Sequence, residues 1–170
     1  MKSACPGCGV VLPGVDGPTH DYMESSPACW AVYGEVLARE YSDITYRAVH
    51  RLTVDTYAVQ HPGGDSPQAI QSVAAHLVSM YLMLELGYSS SRATTMLKAA
   101  VEVGGFEWLA RPAHPGELTV AHVAQASTAM EHIERVHEWA LSVWNAWSAH
   151  HAQVKAWAAD AIVPRTRSKV

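Results

Sequence analysis

The chain has 170 residues, of which 49% are hydrophobic and only 16% charged, with a formal net charge of −4. This is enough apolar surface for one buried core. It supplies no basic footprint, which excludes nucleic acid as the main partner. The longest apolar stretch, 73–86, is interrupted by His76, Ser79 and Glu85. It reads as a buried helix and not as a membrane span. No apolar signal segment follows Met-Lys-Ser-Ala-Cys, so the expected location is cytoplasmic.

Residues 1–26 are rich in turn formers, among them Pro6, Gly7, Gly9, Pro13, Gly14, Gly17 and Pro18. Such a segment has little core of its own, and a bound metal is a natural substitute for one. Ser26 followed by Pro27 joins an N-cap to a first-turn proline, which predicts a helix over 27–41. A second helix starts after Ser42 or Asp43 and stops at Pro62-Gly63-Gly64. Ser66-Pro67 repeats the cap, opening a third helix that reaches 85 before Gly87. Ser89 or Ser90 caps a fourth, ending at Gly104-Gly105. The stretch 106–118 holds Pro112, Pro115 and Gly116 and reads as a loop. Thr119 caps a short helix to 126, and Ser127 or Thr128 starts one long last helix through 161. No segment alternates with period two over a convincing length. The expected fold is all-α: a helical bundle over 27–161, a loop-rich zinc-binding segment over 1–26 packed on it, and a basic disordered tail over 162–170.

The only cysteines are Cys5, Cys8 and Cys29. Cys5-Pro6-Gly7-Cys8-Gly9 is half of a zinc knuckle, since two thiolates two residues apart can face one ion. Cys29 falls in the first turn of the first helix, where the dipole favours a thiolate. His20 is the nearest imidazole before the helices. The expected metal ligands are therefore Cys5, Cys8, His20 and Cys29, with zinc as cofactor. Four protein ligands leave no open position, so this site reads as structural. Thiols stay reduced in the cytoplasm, and an odd count cannot pair fully within one chain.

A second group lies on the helices. His50, Val54, Tyr57 and His61 share one face of the second helix. His50 and His61 lie about 16 Å apart along its axis, too far to share an ion. A third helix running antiparallel brings His76 near the level of His50. The expected catalytic set is His50 and His76 as ligands or acid–base groups, with Tyr57 and His61 orienting a small-molecule ligand beside Gln60. The alternative is that these imidazoles are hydrogen-bonded core residues. Asp55 lies off that face and is expected to pair with Arg51 at i, i+4.

The last helix carries Trp139, Trp144, Trp147 and Trp157 at roughly helical spacing, with His132, His137, His150 and His151 between them. Tryptophans so placed fill bundle cores or dimer seams. Two functions follow. One is a metal-assisted enzyme acting on a small molecule in the histidine pocket. The other is a zinc-stabilised adaptor or sensor, a homodimer through its Trp-rich helix, with no chemistry of its own. Haem on one of the histidines is a third, weaker reading. No nucleophile elbow, phosphate-binding loop, dinucleotide fingerprint or HExxH occurs.

The string Cys5-Pro6-Gly7-Cys8-Gly9, His20-Asp21-Tyr22, Ser25-Ser26-Pro27, Cys29-Trp30, Val49 to Asp55 (VHRLTVD) and Tyr57 to Gly63 (YAVQHPG) resembles an uncharacterised bacterial family, one of the domains of unknown function. His76 and the Trp144…His150-His151 end also fit, so the resemblance runs over nearly the whole chain. It implies a bacterial origin and supports reading these residues as a set. It implies no mechanism.

Overall fold

The structure, a computed structural model, describes residues 2–162; residues 163–170, most of the expected tail, lie outside it. The fold is all-α. Seven helices are present among the described residues: α1 Pro27–Ser42, α2 His50–Gln60, α3 Pro67–Leu84, α4 Ser90–Val103, α5 Val120–Ala124, α6 Ala129–Ala146 and α7 His151–Ile162. Four of the expected caps form, while Thr119 precedes α5 without a side-chain cap bond. Ser26, Ser66, Ser89 and Thr128 each accept a backbone N–H of the first turn through the side-chain oxygen, satisfying a donor that has no partner inside its own helix.

Three local features differ from the expectation. The second helix starts at His50, not near residue 43. Asp43 Oδ1 accepts both the backbone N–H of Thr45 at 2.9 Å and its hydroxyl at 2.8 Å, so this turn competes with the helix, and a 3-10 turn at Arg47–Val49 intervenes. The N-terminal segment holds two strands, β1 Lys2–Ala4 and β2 Val11–Pro13, paired antiparallel. At three residues each they are too short to show period two. The long last helix is two helices. At Trp147 the backbone N–H is shared between the carbonyls of Val143 and Trp144, and a 3-10 turn at Ser148–His150 follows. His151 then donates its Nε2–H to the Trp144 carbonyl at 2.9 Å, and its ring stacks on the Trp144 indole at 3.8 Å. One imidazole thus caps the end of α6 and starts α7. The break lets α6 pack on α2 while α7 turns onto α3 and α4.

The core lies between α2, α3 and α6. Tyr57, Leu77, Met80, Leu82, Trp139 and Trp147 are fully buried in it. Trp139 donates its indole N–H to Gln60 Oε1 at 2.8 Å, and Gln60 Nε2 donates to the Leu118 carbonyl at 2.7 Å. Gln60 is therefore a clamp holding the 104–119 loop. Trp144 and Trp157 are also buried within the chain.

Helices α1 and α2 form an antiparallel pair with a regular cross-match. Cys29 meets His61, Tyr33 stacks on Tyr57 at 3.8 Å, and Glu40 meets His50. Each step forward along α1 is matched by an equal step back along α2. This register carries the end of α2 back to the start of α1, beside the N-terminal segment. There Met23 and Pro62 form an isolated antiparallel bridge.

Candidate metal centre

Cys5, Cys8, Cys29 and His61 present ligand atoms that all lie within 4.8 Å of one another, and all four are buried. Cys8 Sγ stands 3.7 Å from Cys29 Sγ, and Cys29 Sγ stands 3.4 Å from His61 Nε2. A tetrahedral zinc with Zn–S near 2.3 Å and Zn–N near 2.0–2.1 Å requires S···S edges of about 3.8 Å and S···N edges of about 3.6 Å. The arrangement fits a single small ion with four protein ligands.

Each ligand is oriented by its local structure. The knuckle closes through the Cys5 N–H on the Val10 carbonyl and the Gly9 N–H on the Cys5 carbonyl, both 2.9 Å. Gly9 has φ +77, the left-handed turn that a Cβ disfavours. Ser26 N–H points at Cys5 Sγ at 3.4 Å, and the Tyr57 hydroxyl at Cys29 Sγ at 3.6 Å. His61 donates Nδ1–H to the Tyr57 carbonyl at 2.8 Å. That bond fixes the tautomer and leaves the Nε2 lone pair facing the sulfurs, as metal-binding imidazoles require.

The three thiols compete for one negative charge. Hydrogen bonds from Cys29 and Cys8 hold Cys5 far below the usual thiol range. Its bonds with Cys5 and Cys8, helped by burial, push Cys29 far up. Cys8 is drawn down by Cys29 but raised more by Cys5 and burial, ending at about 12. The cluster alone thus favours one thiolate and two thiols. A divalent ion would reverse this, since coordinated sulfur is deprotonated.

His20 stands outside this cluster. Its Nδ1 lies 3.4 Å from the backbone N–H of Tyr22, and its ring packs against Tyr22 and Trp30. Three of the four expected ligands come together, and His61, assigned to substrate on sequence grounds, takes the fourth place. Gly7 shows how closely His61 is fitted. A Cβ there would come within 2.5 Å of both the Glu24 carbonyl and His61 Cδ2. Gly7→Ala is therefore expected to displace the knuckle and weaken metal retention at least tenfold, read by competition with a chromogenic chelator.

The helical histidines do not gather into one pocket. His50 Nδ1 lies 2.8 Å from Glu40 Oε2, and His132 Nε2 lies 2.9 Å from Glu40 Oε1. Thr53 donates to the same carboxylate at 2.6 Å. His76 Nδ1 instead lies 2.7 Å from Asp55 Oδ1. The two imidazoles expected to converge are held by different carboxylates. Tyr57 is fully buried between Tyr33 and His61, where burial raises its phenol well above the usual value. Its hydroxyl and ring lie against Cys29 and His61 of the cysteine–histidine cluster.

Sequence reasoning missed Glu40 and Arg111. Glu40 falls four residues after buried Val36 and seven after Tyr33, on the apolar stripe of α1, and an acid on such a stripe is a readable sign of a buried network. Arg111 donates to Glu24 Oε2 at 3.0 Å and to the Pro62 carbonyl at 2.9 Å. It ties the long loop to both sides of the cysteine–histidine cluster. Nothing in its sequence context marks it.

A model of a family of unknown function, DUF5946, matches residues 3–148. The chain belongs to that family. The DUF5946 match takes in the whole cysteine–histidine cluster together with Glu40, Asp55, His76 and His132. No curated protein and no solved structure matches the chain. Among the described residues no helix is long and apolar enough to cross a membrane.

Proposed function

We propose that the chain is a zinc protein in which Cys5, Cys8, Cys29 and His61 hold a closed structural ion, and that the bundle binds a small molecule in a cleft beside it. The observation that carries the zinc reading is the pair of edges at the cluster, 3.7 Å between sulfurs and 3.4 Å from sulfur to nitrogen. Three thiolates and one imidazole are a donor set that selects zinc among the abundant divalent ions. Free, closely grouped thiols suit a reducing compartment such as the cytoplasm. With four protein ligands the ion has no position for substrate, so its role is to fix the loop-built N-terminus to the ends of α1 and α2. The reading favours histidine chemistry on the helices over metal-centred catalysis.

Elemental analysis of the full chain tests this, with one zinc per chain expected. Chelation should loosen the N-terminal segment, measured as loss of amide protection over 2–26, while helical circular dichroism is largely kept. Uptake should also release about two protons, from Cys8 and Cys29, because ligands bind deprotonated. The sign follows: apparent affinity rises with pH, by about a hundredfold per unit while both thiols are protonated. Chelation that changes neither protection nor metal content would sink the zinc reading.

A further inference from the structure

A cleft of about 450 Å³ opens between Tyr22 of the N-terminal segment, Arg51 at the start of α2, and Gln68, Gln71, Ser72 and His76 along one face of α3. Behind it lies Asp55, fully buried. Its carboxylate is surrounded by donors. His76 Nδ1 is 2.7 Å from Oδ1, the Ser79 hydroxyl donates to Oδ2 at 2.6 Å, and Arg51 Nε donates to Oδ2 at 3.0 Å. Arg51 Nη2 stands 3.0 Å from Oδ1.

This arrangement decides what the cleft offers a ligand. A carboxylate at Nδ1 fixes the neutral imidazole with its proton there, so His76 turns a basic Nε2 outward. That Nε2 has no hydrogen-bond partner among the described residues and is not among the buried unpaired atoms. Arg51 donates Nε–H to Asp55, its Nη2 stands at ion-pair distance from Oδ1 but is buried without a hydrogen bond, and Nη1 has no hydrogen-bond partner among the described residues. Asp55 is buried behind these donors, so the charged group that lines the cleft is the Arg51 guanidinium. The remaining polar lining is neutral amide and hydroxyl. A base and a guanidinium side by side suit a molecule with two features, an O–H for the base and an anionic oxygen for the cation.

We propose that this cleft binds a small hydroxylated anion, with the anionic oxygen on Arg51 and the hydroxyl on His76, and that His76 is the base that withdraws the hydroxyl proton. The O–H bond breaks, its proton passes to Nε2, and the bonding pair stays on the substrate oxygen. The imidazolium that forms is stabilised by Asp55, which takes no proton and acts as a positioning residue. The proposal deepens the reading of the cleft as a small-molecule site and does not depend on the identity of the metal.

The test uses the full zinc-loaded chain labelled with 15N at histidine, titrated with glycolate, hydrogenphosphate and acetate. Free His76 is expected as the Nδ1–H tautomer. Glycolate and hydrogenphosphate should shift its Nε2 resonance saturably, and acetate, with no hydroxyl, should bind about tenfold more weakly. Arg51→Gln should weaken glycolate about tenfold or more. Asp55→Asn should move the proton to Nε2 and erase the preference for glycolate over acetate. If that variant does not fold, the tautomer of the unaltered chain and the Arg51→Gln titration decide. An Nε2–H tautomer in the free chain, a resonance unmoved by all three probes, or Arg51→Gln binding as before would each overturn the proposal. Zinc content measured on the same samples separates the two readings. Less than one zinc with a saturable His76 shift overturns the metal reading alone, and one zinc with no shift overturns this proposal alone.

Discussion

His61→Ala is expected to cost the chain its metal, whereas His20→Ala leaves metal content unchanged. Removing a group that hydrogen-bonds a metal ligand already weakens affinity about 10–100-fold, so loss of a ligand itself should exceed about a hundredfold. The remaining set would be Cys5, Cys8 and Cys29, three buried sulfurs with an open fourth position. The replaced ring also stacks on Tyr57 at 3.9 Å and fills the space against Gly7, so part of the loss is packing. Competition with a chromogenic chelator gives the ratio of affinities for each variant. Equal losses for His20→Ala and His61→Ala would contradict the geometry, and a loss confined to His20→Ala would reverse the assignment.

Glu40→Ala is expected to destabilise the fold by roughly 3–5 kcal/mol, the usual cost of removing one member of a buried charged group. Glu40 is fully buried and serves three side chains from two other helices, His50 and Thr53 of α2 and His132 of α6. Without it Thr53 can fall back on the Val49 carbonyl, which it already meets at 3.2 Å. His132 cannot. Its Nδ1 is buried without a partner, so losing Nε2 as well would strand a whole imidazole in the core. Whole domains are held by about 5–15 kcal/mol, so the variant should lie near the edge of folding. Glu40→Gln keeps the volume and one acceptor and should fall between the two. The urea midpoint at fixed zinc measures both. A Glu40→Ala midpoint within experimental error of the parent would show that the network contributes nothing to stability.

Much of the fold was legible because the punctuation is strong. Ser26-Pro27, Ser66-Pro67 and Pro62-Gly63-Gly64 mark helix ends by covalent geometry and capping chemistry, which act locally. The break at Trp147 was not legible, because no Pro or Gly marks it. It is made by a side chain, His151, reaching back to a carbonyl. The centre divides the same way. Cys5, Cys8 and Cys29 could be read from residue type, and the pairing of Arg51 with Asp55 from spacing. The fourth ligand could not be read from proximity in sequence, which favoured His20. It followed from register. Equal steps along α1 and α2 set His61 opposite Cys29, and that match requires knowing where α2 begins. The turn at Asp43 moved that start by several residues. His50 and His76 were placed on the right helices, but of the carboxylates that divide them Asp55 had been read only as the partner of Arg51 and Glu40 had not been singled out.

The spread of the four ligands along the chain has a consequence for synthesis. Chain growth delivers Cys5, Cys8 and Cys29 well before His61. Until His61 is made, the chain holds the three thiols without the imidazole that completes the set. An early metal would be held by sulfur alone, and an early oxidant would find two sulfurs able to join. Only the last residue of the set, delivered by a finished antiparallel helix pair, gives a closed tetrahedron. Closing the site around an ion would therefore require the first two helices to be docked, because His61 reaches Cys29 only through that antiparallel pair.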